Sequence, residues 1–145
     1  LHVSHDDLIR ALVLSNLINI HLKTGIGRLS AFCGATCAGV GAGAGICYFY
    51  QNELKAYEHT IVNGLVINSG LICDGAKPSC AAKIASSVDA GLLGLEMALH
   101  KSEFCAGEGI VSDDVEKTIE NIYQLANKGM KETDVEIVEL MTKHC

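Results

Sequence analysis

The stretch Cys33-Gly34-Ala35-Thr36-Cys37-Ala38-Gly39-Val40-Gly41-Ala42-Gly43-Ala44-Gly45-Ile46-Cys47-Tyr48-Phe49-Tyr50 decides the fold class. It is built almost wholly from small and aliphatic side chains. Glycines at 39, 41, 43 and 45 each weaken an isolated helix by roughly 1 kcal/mol relative to alanine. That cost is tolerable where another helix, or a cofactor, must come very close. The reading is a buried, glycine-rich helix over 38–50. Two other readings fit less well. No charge occurs from Leu29 to Asn52, which is long enough for a membrane span. The segment is nevertheless poor in Leu and Ile and has no flanking basic cluster. Gly39-x-Gly41-x-x-Ala44 imitates a dinucleotide fingerprint, but no hydrophobic strand precedes it.

Composition agrees with close helix packing. The 145 residues include 15 glycines, one proline, three phenylalanines and no tryptophan, and this length suits one domain with its own core. Seven cysteines are too few for a disulfide scaffold, and an odd number cannot pair completely. They read as reduced thiols in a cytoplasmic setting, some available to metal. A formal net charge of −6 and the lack of a basic run exclude nucleic acid as a partner. The chain opens on Leu1-His2-Val3, without methionine, and reads as part of something longer.

Working outward, Ser4 and Asp7 form the capping pair of a first helix. Its run Leu8 to Leu22 is apolar at nearly every turn and is expected to be mostly buried, ending at Lys23-Thr24-Gly25-Ile26-Gly27. A third helix covers 53–69, with Leu54, Tyr57, Ile61, Leu65 and Asn68 along one stripe, and Gly70 ends it. Pro78 suits the entry to a fourth helix, Ser79 to about His100. Residues 101–109 read as a linker. Asp113 and Glu116 cap a helix to Asn127 that Gly129 stops, and Thr133 and Glu136 form a capping box for the last helix, Asp134 to Lys143. Nothing reads as a strand. The fold class is all-α: a compact bundle of about five or six helices with a buried Gly-rich helix and a Cys-bearing loop.

That loop is Gly70-Leu71-Ile72-Cys73-Asp74-Gly75-Ala76-Lys77-Pro78-Ser79-Cys80. Six residues separate its cysteines, so they face each other across a loop rather than along one helix face. Thiolates are the ligands of iron–sulfur clusters and of zinc. Zinc modules prefer C-x₂-C pairs, and none is present, so the loop plus Cys33 or Cys37 better suits a cluster at a helix–loop junction. Spacing alone supports ordinary buried cysteines equally well. Cys37 either lines the same site or stands just behind it. Cys47 and Cys105 read as structural, and Cys145 as a frayed end or a tail thiol. Lys77 is a candidate partner for a substrate carboxylate, and Ser79 a candidate hydrogen-bond donor. Asn63 and Asn68 are weaker candidates for polar contacts to a buried ligand, while His59 and His100 read as surface histidines.

Taken together, Cys33-Gly-Ala-Thr-x-Ala-Gly-x-Gly-Ala-Gly-x-Gly-Ile46 and Gly70-Leu-Ile-Cys-Asp-Gly-Ala-Lys-Pro-Ser-Cys-Ala-x-Lys83, continuing through Ser86-Ser87-Val88-Asp89-Ala90, resemble the serine dehydratase alpha-chain family. The closest likeness is to its L-cysteine desulfidase-like branch and that branch's uncharacterised bacterial relatives. The resemblance implies an oxygen-sensitive 4Fe–4S cluster bound by Cys33, Cys73 and Cys80, with one iron free for substrate. It implies β-elimination from a small amino acid without pyridoxal phosphate: L-cysteine to pyruvate, ammonia and sulfide, or L-serine to pyruvate and ammonia. Classical serine dehydratases resemble it less, because their loop between the second and third cysteines is longer. In the desulfidase branch the base is a further cysteine near the N-terminus, a region with no counterpart here.

The expectation is therefore one helical iron–sulfur-binding domain over 1–145, the C-terminal part of a longer protein. Its partners are a small amino-acid substrate and the parent's N-terminal domain, with no nucleic acid and no membrane; self-association is left open. A competing reading is a non-catalytic redox or metal-sensing module in which Cys73 and Cys80 form a switchable disulfide.

Overall fold

The computed structural model describes residues 3–143. Among them the chain forms six α-helices and one π-helical turn: α1 (His5–Ile26), α2 (Gly34–Tyr50), α3 (Leu54–Ile67), α4 (Cys80–Leu99), α5 (Val115–Gln124), the π turn (Leu125–Gly129) and α6 (Lys131–Thr142). The all-α bundle expected from the sequence is what forms. The single extended contact among the described residues is an isolated antiparallel bridge, Phe32 to Ile72. No helix of the described residues is long and apolar enough to cross a membrane.

The glycine-rich α2 is the hub, packed against α1, α3 and α4. Its glycines serve two faces. On one, a Cβ at Gly39 would stand 2.0 Å from the Ser87 carbonyl oxygen, and one at Gly43 would stand 2.5 Å from that of Gly91. On the other, Gly41 and Gly45 bring α1 equally close, with hypothetical Cβ atoms 2.6 Å and 2.9 Å from the carbonyl oxygens of Ser15 and Ala11. Gly91 reciprocates toward Gly39, and Gly94 of α4 admits the Gly64 backbone of α3. The helix penalty of the glycines is thus offset by backbone-to-backbone contact on both sides. Phe32, Leu22, Ile26, Val40, Leu65 and Ile122 fill the space between and are fully buried. Each contributes on the order of 1.5–3 kcal/mol of burial.

The helix boundaries show where local signals decided and where they did not. Ser4 caps α1 by accepting from the Asp7 N–H at 3.1 Å, and Gly27 closes it at a φ of 90°, a left-handed conformation suited to glycine. At α5 the cap is one residue later than expected. Asp114, not Asp113, accepts from the N–H groups of Glu116 (2.8 Å) and Lys117 (3.2 Å). Asp113 instead pairs with Lys117 at 3.0 Å on the helix surface. Asp114→Ala is therefore expected to cost about 1 kcal/mol and Asp113→Ala to leave stability nearly unchanged; urea unfolding of the two variants separates them. Gly129 does not open a gap. The chain passes through the π turn, Thr133 and Glu136 lie inside a helix already begun at Lys131, and the expected second capping box does not form.

One expectation is reversed. α1 is apolar nearly all round, yet only Ala11, Leu22 and Ile26 of it are buried. The described elements cover one face through α2 and α5, and the opposite face has no neighbour among them. Leu54 likewise begins the α3 stripe but is 73% exposed, because the stripe starts before the helix reaches the bundle.

Candidate metal centre

The segments that carry Cys33 and Cys73 are brought together by backbone, not by side-chain pattern. The Cys33 N–H donates to the Leu71 carbonyl at 3.0 Å, and the Cys73 N–H donates to the Ala31 carbonyl at 2.6 Å. These two bonds frame the Phe32–Ile72 bridge. Side chains alternate along extended backbone, so Cys33 and Cys73 share the face opposite Phe32, as diagonal neighbours across the bridge. Phe32 points into the core and is fully buried, which fixes the orientation. The segment is further stitched down by Ser30, whose hydroxyl accepts from the Phe32 N–H and donates to the Ala126 carbonyl.

Cys33 is also the N-cap residue of α2, and Cys80 is the first residue of α4. Helix N-termini favour negative charge, and thiolates in particular. The Cys80 sulfur is engaged within its own loop: it donates to the Gly75 carbonyl and accepts from the Lys77 N–H, both at 3.5 Å. Gly75 sits at a φ of 93°, the left-handed bend that turns the loop back on itself. Pro78 lies in the turn that leads into α4.

Lys83, one turn into α4, closes the second motif but has no role assigned from the sequence, where it is a lone cation in an Ala- and Ser-rich helix. Its spacing from Cys80, three residues on, was the available signal. Its ammonium donates to the Ile72 carbonyl at 2.7 Å and to Asp74 at 2.5 Å. Asp74 holds the Lys83 ammonium above its ordinary value, and Cys33 and Cys80 act in the same direction. Lys77 bonds the other Asp74 oxygen. Lys77 first and Lys83 second hold the Asp74 carboxyl well below the usual carboxylate range, at about 2. Asp74 is thus ionised and occupied by both lysines, and Lys77 reaches it from within the loop. Ser79, the N-cap of α4, is exposed and its side chain makes no capping bond.

Behind the cysteines lies a polar knot. Thr36 donates to the Asn68 carbonyl at 3.3 Å, Asn68 donates to the Ser86 carbonyl and the Ser87 hydroxyl, and Ser87 donates to the Lys83 carbonyl at 2.7 Å. Asn68 therefore ties the end of α3 to α4 rather than facing a ligand. Asn63 is likewise spent on structure, bonding Gly94, Ser102 and Phe104.

Cys37 stands one turn behind Cys33, fully buried. Burial pushes its thiol up to about 11, with Lys23 opposing and Cys33 adding to the shift. It is expected to stay protonated and resist alkylation at pH 8 in the folded chain, whereas exposed Cys105 labels at once. Mass spectrometry of briefly alkylated protein checks this; labelling of Cys37 as fast as Cys105 contradicts it. Cys145 lies outside the described residues.

His59 and His100 are held by carboxylates, Glu103 at 2.5 Å and Glu96 at 2.9 Å. His59 lines a cleft of about 140 Å³ with Glu58, Glu103, Asp113 and Asp114. That cleft contains none of the cysteine segments, and its four carboxylates disfavour an anionic substrate.

Cys33, Cys73 and Cys80 are all free thiols. Among the described residues no three His, Cys, Asp or Glu side chains stand in a metal-ligating arrangement. The donor set still fits an iron–sulfur cluster in its chemistry: three thiols on three segments, at two helix N-termini, with Lys83 beside them.

The family model for the serine dehydratase alpha chain matches residues 1–139. The chain belongs to the serine dehydratase alpha-chain family. Among its relatives, a UPF0597 protein of Desulfitobacterium hafniense is 56% identical over 145 residues, all of this chain and 34% of its own length. A UPF0597 protein of Finegoldia magna is 54% identical over 136 residues, covering 94% of this chain and 33% of its own length. One of Fusobacterium nucleatum is 45% identical over 142 residues, covering 98% and 33%. This serine dehydratase-family chain spans about a third of the length of the curated relatives it matches. No solved structure matches it.

Proposed function

We propose that this chain is the cluster-binding part of an iron–sulfur-dependent lyase. The reaction is β-elimination of L-cysteine to pyruvate, ammonia and sulfide, or of L-serine to pyruvate and ammonia. The observation that carries the reading is the convergence of two cysteine-bearing segments at the Phe32–Ile72 bridge, in a chain of the serine dehydratase family.

Cys33, Cys73 and Cys80 would hold the cluster. When bound, such a cluster supplies an iron that polarises a substrate hydroxyl, thiol or carboxylate as a Lewis acid. The chain's own residues do the rest of the positioning. The N-termini of α2 and α4, together with Lys83, make the cysteine corner electropositive in a molecule of net negative charge. That field draws in the substrate's carboxylate. Lys77, whose ammonium is tied to Asp74, and Ser79, exposed at the entry to α4, are the loop's candidates for contact with a bound amino acid. The base that removes the α-proton belongs to polypeptide outside these residues. The reduced thiols suit a cytoplasmic setting.

The test is an assay of the full-length polypeptide, purified and reconstituted with iron and sulfide without oxygen, on L-cysteine and L-serine. Pyruvate from one of them is the expected result. Absence of pyruvate from both, with iron bound, contradicts the reading.

A further inference from the structure

One face of α1 remains unexplained by the site and by the fold. Leu8, Ile9, Leu12, Val13, Leu17 and Ile20 recur at helical spacing and are 46–59% exposed. From Ala11 to Leu22 no Asp, Glu, Lys or Arg interrupts them. A helix face meant for water carries charge opposite its apolar stripe; this one is apolar on both sides. The surroundings continue the pattern. A groove of about 220 Å³ runs along one flank of α1, lined by Ala42, Ile46 and Phe49 of α2. Another of about 360 Å³ lies on the other flank, lined by Tyr57 and Ile61 of α3 and Ile119 of α5, and also by His21, Glu58, Asp114 and Glu116. A ridge with a groove on each side, one of them free of charged residues, is the shape into which other helices pack. Contiguous apolar surface of this kind is rare on a free monomer.

We propose that this face is an interface within the parent polypeptide, covered by the part that lies outside this chain. The relatives carry about two-thirds of their length beyond the matched region, so a covering segment is available in the same molecule. A tethered segment acts at millimolar effective concentration, well above the concentration at which a second copy would compete. The α1 face and its two grooves are where that segment docks, side by side with α1. The inference is independent of the lyase chemistry proposed above.

Hydroxyl-radical footprinting of the full-length polypeptide, on a fraction shown to be monomeric by light scattering, tests it. Oxidation of Leu12, Val13, Leu17 and Ile20 is expected to fall several-fold below that in the 145-residue chain, and to stay low on dilution. Equal oxidation in both overturns the proposal. Protection lost on dilution also overturns it, and assigns the face to a second copy. Leu12→Glu with Leu17→Glu gives an independent readout. It is expected to lower the Tm of the full-length polypeptide while leaving that of the 145-residue chain nearly unchanged; equal shifts in both contradict the proposal.

Discussion

Gly39→Ala is expected to destabilise the chain by more than about 3 kcal/mol, at or beyond the upper end for overpacking. The added methyl would stand 2.0 Å from the Ser87 carbonyl oxygen and 2.3 Å from its carbon. Both are backbone atoms of a facing helix, so no side-chain rotation relieves the clash. α2 and α4 must separate, and with them the N-termini that carry Cys33 and Cys80. For a chain of this size the loss corresponds to a fall in Tm of roughly 10 °C, a large share of the ~5–15 kcal/mol that holds a domain together. Gly91→Ala meets the Gly39 carbonyl at 2.1 Å and is expected to behave alike. The control is Gly70→Ala, where a methyl meets nothing within 4 Å and the change is expected to stay within about 0.5 kcal/mol. Thermal unfolding of the three variants decides the matter. A Gly39→Ala protein within about 1 kcal/mol of wild type would mean that the two helices do not approach as described.

Replacing any one of Cys33, Cys73 or Cys80 by serine is expected to lower lyase activity of the full-length polypeptide by a factor of about 100 or more, and to leave the fold in place. Even residues that merely support a metal ligand typically cost 10–100-fold. Cys73 and Cys80 are only partly buried, so a small polar replacement opens no large cavity there. Cys105→Ser, at an exposed position, should leave activity unchanged. Lys83→Met separates ligand from support. It removes the ties to the Ile72 carbonyl and Asp74 and should weaken iron retention without abolishing it. Circular dichroism confirms the fold, and pyruvate formation gives the rate. Full activity in Cys73→Ser or Cys80→Ser would remove the loop from the reaction.

How far the sequence reveals this molecule varies by element. The helices follow from patterns spanning many residues, and the glycine-rich α2 follows because glycines at 39, 41, 43 and 45 have no other economical use. Single-residue boundaries are less legible. Asp113 and Asp114 are chemically equivalent as caps, and only the path of the preceding turn selects Asp114. The approach of the Cys33 and Cys73 segments is not written in any side chain, since main-chain groups of Ala31, Cys33, Leu71 and Cys73 make it. The role of Lys83 is not legible because a single cation on a small-residue helix carries no pattern of its own. The apolar run of α1 reads as a buried helix, yet among the described residues its outer face is exposed, because a run of apolar residues does not show which neighbour would cover it.

The most direct test of the central claim is iron and acid-labile sulfide analysis of the full-length polypeptide after anaerobic reconstitution. The wild type is compared with a variant in which Cys33, Cys73 and Cys80 are all alanine. About four irons and four sulfides per chain in the wild type, with none in the variant, is the predicted result. Equal iron and sulfide in both would contradict it, and would place any cluster on other residues.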